Sequence, residues 1–172
     1  HPSAQPKSIA VNIPSSAKLQ ESLQFNDYTI SRYFIEGKNS VLEISKAGVR
    51  VFALQETGVF PGSYGFGDHE KFAIGKNLTG NGKPNLVLRT YSGGANCCTD
   101  VHVLELGEQF RHVARFDARN AEGVSFEDLD KNGILTVSMA DWHYLNVIAP
   151  MIASPAPKLI FRLQNGRYQL AP

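Results

Sequence analysis

Asp128-Leu129-Asp130-Lys131-Asn132-Gly133 sets three oxygen-bearing side chains at alternating positions and closes the run with a glycine. That spacing lets Asp128, Asp130 and Asn132 face one side of a tight loop, and the glycine permits the sharp bend. It is the first half of a calcium-loop pattern. Asn77-Leu78-Thr79-Gly80-Asn81-Gly82, 51 residues upstream, repeats the layout with neutral ligands. Asn26 stands a further 51 residues upstream, and all three positions lead into strand-like runs. Self-similarity at this period predicts a repeat architecture such as propeller blades.

The flanking segments carry the same message. Tyr28 to Ile35, Val41 to Ser45 and Val49 to Leu54 read as strands, with Lys46-Ala47-Gly48 as a turn. Leu86 to Tyr91, Val101 to Leu106 and Phe110 to Phe116 form a second set, the last two joined by a tight turn at Gly107-Glu108. Leu135 to Met139, Leu159 to Leu163 and Tyr168 to Leu170 form a third, with Asn165-Gly166 as a strong hairpin signal. The expected fold is therefore all-β, with antiparallel strands in about three blade-like units. A β-sandwich or an irregular meander with coincidental spacing is the alternative. Ala17 to Phe25 looks helical instead, with Leu19 and Leu23 four apart. Residues 1–25 are thus expected to be an N-terminal extension with a short helix, and 26–172 a single β-repeat domain. Three units are fewer than the four to eight blades of a closed propeller. An open array leaves sheet edges that the N-terminal segment, long loops or a partner chain must cover, which makes oligomerisation through those edges an expectation.

The two loops, with the segments around them from Phe72 to Tyr91 and Val124 to Trp142, resemble FG-GAP/VCBS-type repeats of bacterial secreted proteins and integrin-type propellers. In that family the loop runs D-x-D-x-D-G-x-x-D/E into a strand. Asp128, Asp130, Asn132 and Gly133 match, whereas the ninth position is Thr136 rather than a carboxylate. In the upstream loop Asn77, Thr79, Asn81 and Asn85 fill the ligand positions without a carboxylate. The resemblance implies an extracellular propeller-like fold with structural calcium, and no single activity. In the Asp128 loop the ligands would be Asp128, Asp130, Asn132, the Ile134 carbonyl and Thr136. The competing reading is an Asx-rich turn whose side chains bond their own backbone. That reading is favoured for Asn77, Thr79 and Asn81, since neutral ligands do little to offset the desolvation of calcium.

Whole-chain properties narrow the function classes. The 172 residues are 42% hydrophobic and 19% charged, as in a globular domain. A formal charge of +1 gives no reason to expect nucleic-acid binding. No apolar run approaches the ~18 residues of a membrane helix, so no membrane insertion is expected. The Pro/Ser/Ala-rich start at His1 reads as the leader of an exported chain, secreted or periplasmic.

Several clusters could carry chemistry. Cys97 and Cys98 are adjacent and follow Gly93-Gly94. They can close a vicinal disulfide, remain reduced, or serve redox or metal chemistry. Asp141-Trp142-His143-Tyr144 joins two aromatic rings to titratable groups and would suit a sugar ring or a protein anchor, although a lone tryptophan also fits a core. Asp68-His69-Glu70 is a second titratable cluster, and Gly62 to Gly67 a glycine-aromatic loop without a helix to follow it. His102 and His112 fall on strands and are expected at the sheet surface. No G-x-S-x-G, H-E-x-x-H or Walker loop occurs. The expectation is a non-catalytic binding or scaffold module with a structural calcium loop, and a protein or carbohydrate ligand. A secreted enzyme is the alternative, either a hydrolase using Asp/His loop residues or a copper oxidase using His1.

Overall fold

Two-residue turns set much of the strand pairing. Ala47 and Gly48 have φ of 47° and 80°, and Asn165 and Gly166 have 51° and 74°. Positive φ at both central residues matches the right-handed twist of the strands that such turns connect. In this computed structural model, which describes residues 11–36, 40–55, 74–91, 99–119, 124–142, 147, 150 and 153–172, the turns close hairpins within three antiparallel sheets of four strands each. The first sheet holds β1 (Lys18–Phe25), β2 (Tyr28–Phe34), β3 (Ser40–Lys46) and β4 (Val49–Gln55). β5 (Ile74–Lys76), β6 (Asn85–Tyr91), β7 (Thr99–Leu106) and β8 (Phe110–Arg119) make the second. The third comprises β9 (Ser125–Glu127), β10 (Thr136–Ala140), β11 (Lys158–Gln164) and β12 (Arg167–Leu170). In every sheet the strands follow in chain order, each beside the next. The all-β antiparallel class is as expected, and the 51-residue period marks the same connection each time, that between the first and second strands.

The helical reading of Ala17 to Phe25 is corrected. Lys18–Phe25 is a strand paired with β2, from Lys18 opposite Phe34 to Phe25 opposite Tyr28, with a bulge between Leu19 and Glu21. The residue types explain the misreading. Leu19 is 57% exposed, so the four-residue spacing that mimicked a helical stripe does not form one buried face. Alternation decides instead: Leu23 and Phe25 face the core, while Ser22 and Gln24 reach across the ladder to Ser31 and Thr29. β1 thus joins the first sheet ahead of residue 26. The short β5 and β9, three residues each, carried no periodic signal.

Packing places the second sheet in the middle. One of its faces presents Leu86, Leu88, Leu104 and Leu106 to Tyr28, Ile30, Leu42, Ile44 and Phe52 of the first sheet. The opposite face presents Val87, Val101, Val103 and Phe116 to Phe126, Val137, Phe161 and Tyr168 of the third. Phe116 meets Tyr168 edge-on, with ring centroids 5.5 Å apart. The outer face of the first sheet is covered by Val11 and Ile13, which pack on Ile35, Val41 and Ala53. Arg50 fixes that strap by donating to the Val11 carbonyl at 2.7 Å.

The two glycine-containing loops clasp the second and third sheets. Leu135 N–H donates to the Leu78 carbonyl at 2.9 Å. A Cβ on Gly80 would stand 2.6 Å from Ile134 Cγ1, so the bare backbone is what lets the loops touch. Gly80 has φ of 71°. Gly82 has φ of 79°, but open space where its Cβ would stand. Gly80→Ala should therefore destabilise by about 2–4 kcal/mol, left-handed strain plus overpacking, and Gly82→Ala by about 1 kcal/mol. Equal losses in urea denaturation of the two variants would refute the clasp.

Candidate functional site

The Asp128 loop is built as a self-satisfied turn. Asp128 accepts from Asn132 N–H at 3.0 Å through Oδ1 and from Gly133 N–H at 2.9 Å through Oδ2. Asn132 Oδ1 accepts from Ile134 N–H at 2.9 Å. Lys131 and Gly133 take positive φ to close the bend. Asp130 turns to β11, where Arg162 Nε donates to it at 3.0 Å. Thr136 opens β10 and is buried. Both carboxylates are thus engaged, and Arg162 supplies the positive charge. Among the described residues no group of three or more His, Cys, Asp or Glu side chains is arranged to hold a metal ion. The donor set suits calcium only in exchange with Arg162.

The Asn77 loop is held in a similar way. Asn85, at its ninth position, is wholly buried; it accepts from Leu78 N–H at 2.8 Å and donates to the Leu104 carbonyl at 3.2 Å. Asn81 donates to Glu105 at 2.6 Å and accepts from Lys83 N–H at 3.0 Å. Glu105 is 0% exposed, with the Lys83 ammonium 3.5 Å away. Thr79 is buried as well. Here too a side-chain cation, Lys83, stands near the loop's acidic partner.

His102 and His112 do not sit on an open sheet surface. His102 is 1% exposed and its ring stacks on that of His112, with centroids 5.1 Å apart. Phe52 of the first sheet meets His112 edge-on. The Ala114 carbonyl, 3.1 Å from His112 Nε2, can only accept, so that nitrogen carries a hydrogen. His102 Nδ1, 3.1 Å from the same nitrogen, is then the acceptor. Its hydrogen sits on Nε2, which is buried without a hydrogen-bond partner among the described residues. Burial, with repulsion from His112 and Arg115, lowers the His102 pKa to about 3. His112 is lowered too, chiefly by burial. The surface expectation assumed a one-faced sheet, but the face carrying these rings is covered by the first sheet.

A cleft of about 450 Å³ opens where β8, β10, β11 and β12 meet. Asp141 and Trp142, foreseen as a binding pair, line it together with Asp117 and Arg119. Met139, Leu159 and Phe161 provide apolar wall. Trp142 is partly exposed, not core. Asp141 is held where β10 ends by its N–H donating to the Pro157 carbonyl at 2.7 Å. Arg119 has φ of 43°, a left-handed backbone at the end of β8, and its N–H donates to Asp117 Oδ1 at 3.2 Å. Asp117 and Arg119 escaped the sequence reading because they end a strand far along the chain; the one available signal was the acid-base pair at an apolar strand's end. His143, Tyr144, Cys97, Cys98, His1, Asp68 to Glu70 and the Gly62 to Gly67 loop lie outside the described residues.

No known family model matches this chain, and no solved structure does. A Synechocystis sp. protein named "Probable thylakoid lumen protein" is 32% identical over 89 residues, which are 51% of this chain and 26% of that one. The chain therefore spans about a quarter of that relative's length. Among the described residues no helix is long and apolar enough to cross a membrane.

The histidine pair gives a pH test. The folded pKa values lie below the unfolded value of ~6.5, so the stabilisation is complete above that value and is lost as pH falls through the window towards the folded value. Between pH 7.5 and 5.5 denaturant stability should drop by about 1 kcal/mol from His102 alone. His102→Leu should remove that part of the slope. An unchanged slope in the variant would show that the acid sensitivity arises elsewhere.

Proposed function

We propose that the chain is an exported, non-catalytic binding or scaffold module whose ligand site is the Trp142 cleft. The observation that carries the reading is the pairing of Asp141 and Trp142 in a concave site with Arg119, rather than in the core. A cavity of this size is in the range of small-molecule and peptide sites. The loops Asn77 to Asn85 and Asp128 to Thr136 each bridge the first two strands of a four-stranded meander, which supports an FG-GAP/VCBS-type, propeller-like stacking. Export is supported by the lumenal name of the Synechocystis relative. The secreted-enzyme alternative would draw on Asp117 and Asp141, two carboxylates that line the cleft among the described residues.

Trp142→Ala decides whether the ring serves the cleft. As a cleft wall it should cost about 1–2 kcal/mol in chemical denaturation, because part of the ring is already in water. A core tryptophan would cost roughly 3–5 kcal/mol. A loss in that upper range would remove the cleft as the binding site.

Structural calcium at the Asp128 loop is the second part of the proposal, and it takes Asp130 from Arg162. Wild-type protein should gain thermal stability only at millimolar calcium. Arg162→Gln should respond at lower concentrations, because Asp130 is released, and Asp128→Ala should not respond. By mass action, a hundredfold excess over the dissociation constant adds about 2.7 kcal/mol. Melting curves that coincide in calcium and in chelator for both wild type and Arg162→Gln would exclude the ion.

A further inference from the structure

We infer that Asn165 is a site of spontaneous covalent modification: its side chain and the Gly166 amide close a succinimide that opens to isoaspartate, and this loosens the hairpin of β11 and β12. Asparagine followed by glycine favours the ring closure, because glycine has no Cβ to hinder the approach of its own nitrogen. The chain contains three such steps, Asn81-Gly82, Asn132-Gly133 and Asn165-Gly166. Their hydrogen bonds separate them. Reaction needs a side-chain amide free to swing over the backbone and a following N–H free to lose its proton. Asn81 fails the first condition: its Nδ2 donates to the buried Glu105 at 2.6 Å, and its Oδ1 accepts from Lys83 N–H at 3.0 Å. Asn132 fails both: its Oδ1 accepts from Ile134 N–H at 2.9 Å, and Gly133 N–H donates to Asp128 Oδ2 at 2.9 Å. Asn165 and Gly166 are exposed, and among the described residues neither the Asn165 side chain nor the Gly166 N–H has a hydrogen-bond partner.

The surroundings of the turn favour the reaction. β12 is four residues long and stands at the edge of its sheet, where local opening costs least. Arg111 donates to the Gly166 carbonyl at 3.3 Å, so a positive charge stands beside the nitrogen that must become anionic. Water is the one co-reactant. Hydroxide takes the Gly166 amide proton, the nitrogen bonds to Asn165 Cγ, and the Cγ–Nδ2 bond breaks as ammonia leaves with a proton from water. A second water then opens the ring. Cleavage at Cγ gives aspartate; cleavage at the Asn165 main-chain carbonyl gives isoaspartate, whose backbone is one methylene longer. The two-residue turn relies on φ of 51° and 74° at Asn165 and Gly166, and the longer backbone no longer fits it. Tyr168 lies just beyond, its ring against Phe116 and its hydroxyl donating to the Leu135 carbonyl at 3.2 Å.

The test incubates the full chain in mildly alkaline buffer, folded and in urea, and follows all three steps by peptide mass mapping. An isoaspartyl methyltransferase with labelled S-adenosylmethionine is the probe of the isomer. In the folded chain the Asn165 peptide should gain the acid mass and the methyl label several-fold faster than the Asn81 and Asn132 peptides. In urea the three should react at comparable rates. Equal rates in the folded chain, or a faster reaction at Asn81 or Asn132, would overturn the assignment. Aged protein should unfold at lower urea than fresh protein, whereas Asn165→Asp, which has the charge without the extra methylene, should unfold where fresh protein does. An unchanged midpoint in protein labelled at Asn165 would overturn the loosening of the hairpin.

Discussion

Burial of the second sheet on both faces is the constraint on which the rest of the structure depends. Side chains alternate along a strand, so Leu86 and Leu88 point one way and Val87 the other. Both directions are apolar. A one-residue slip would exchange one apolar face for another, so hydrophobicity alone sets the register weakly here. Polar residues that cannot be moved supply what the apolar pattern lacks. Asn85 ties Leu78 to Leu104 from a fully buried position, and Glu105 needs Asn81 and Lys83. The His102–His112 contact is a third such pin. Each would leave an unsatisfied buried group if the strands shifted, at a cost of about 1–3 kcal/mol or more for the charged one. Register is thus fixed by a few polar contacts within a largely apolar stack.

Those contacts also explain what the repeated loops do. Ligand-like positions in both loops are spent on backbone amides: Asp128 on Asn132 and Gly133, Asn132 on Ile134, Asn85 on Leu78. Arg162 and Lys83 then stand by the acidic partners. The buried Glu105 carboxylate would be costly without partners, and the Lys83 ammonium offsets part of that cost, whereas Asp130 and Arg162 pair in an exposed loop, where such a bridge contributes little. The side chains that resemble a metal site therefore already stabilise the turn, and an incoming ion has to compete with a covalently attached one.

The fold was legible where sequence pattern and burial agreed. Alternation and the Asn165-Gly166 turn marked the hairpins, and the 51-residue spacing marked equivalent connections. It was not legible where a strand buries one edge only: β1 alternates, but its exposed Leu19 sits in step with Leu23 as on a helix. The site was half legible. Asp141 and Trp142 stood out as a rare aromatic beside a carboxylate. Asp117 and Arg119 did not, because only tertiary packing of β8 against the third sheet brings them there. His102 was misplaced for a related reason, since a polar residue on an alternating strand marks a solvent face only when nothing covers that face.

The two ends of the sheets differ in kind. In each meander the first-to-second and third-to-fourth connections fall at one end, and the second-to-third falls at the other. The first end is made of short turns and the two glycine loops, and hydrogen bonds stitch neighbouring sheets together there: Tyr28 Oη to the Gly107 carbonyl at 2.7 Å, Leu135 N–H to Leu78, and Arg111 to the Gly166 carbonyl at 3.3 Å. Lys46 also donates to Gly107 and Glu108 there. Such an end is tied from sheet to sheet by hydrogen bonds. At the other end lie the strand termini that line the cleft: the last residues of β8, β10 and β12 and the first of β11. The cleft lies at that second end, on strand termini whose positions the stitched end has already fixed. Hydrogen bonds at one end thus fix strands whose opposite termini carry Asp117, Arg119, Asp141 and Trp142.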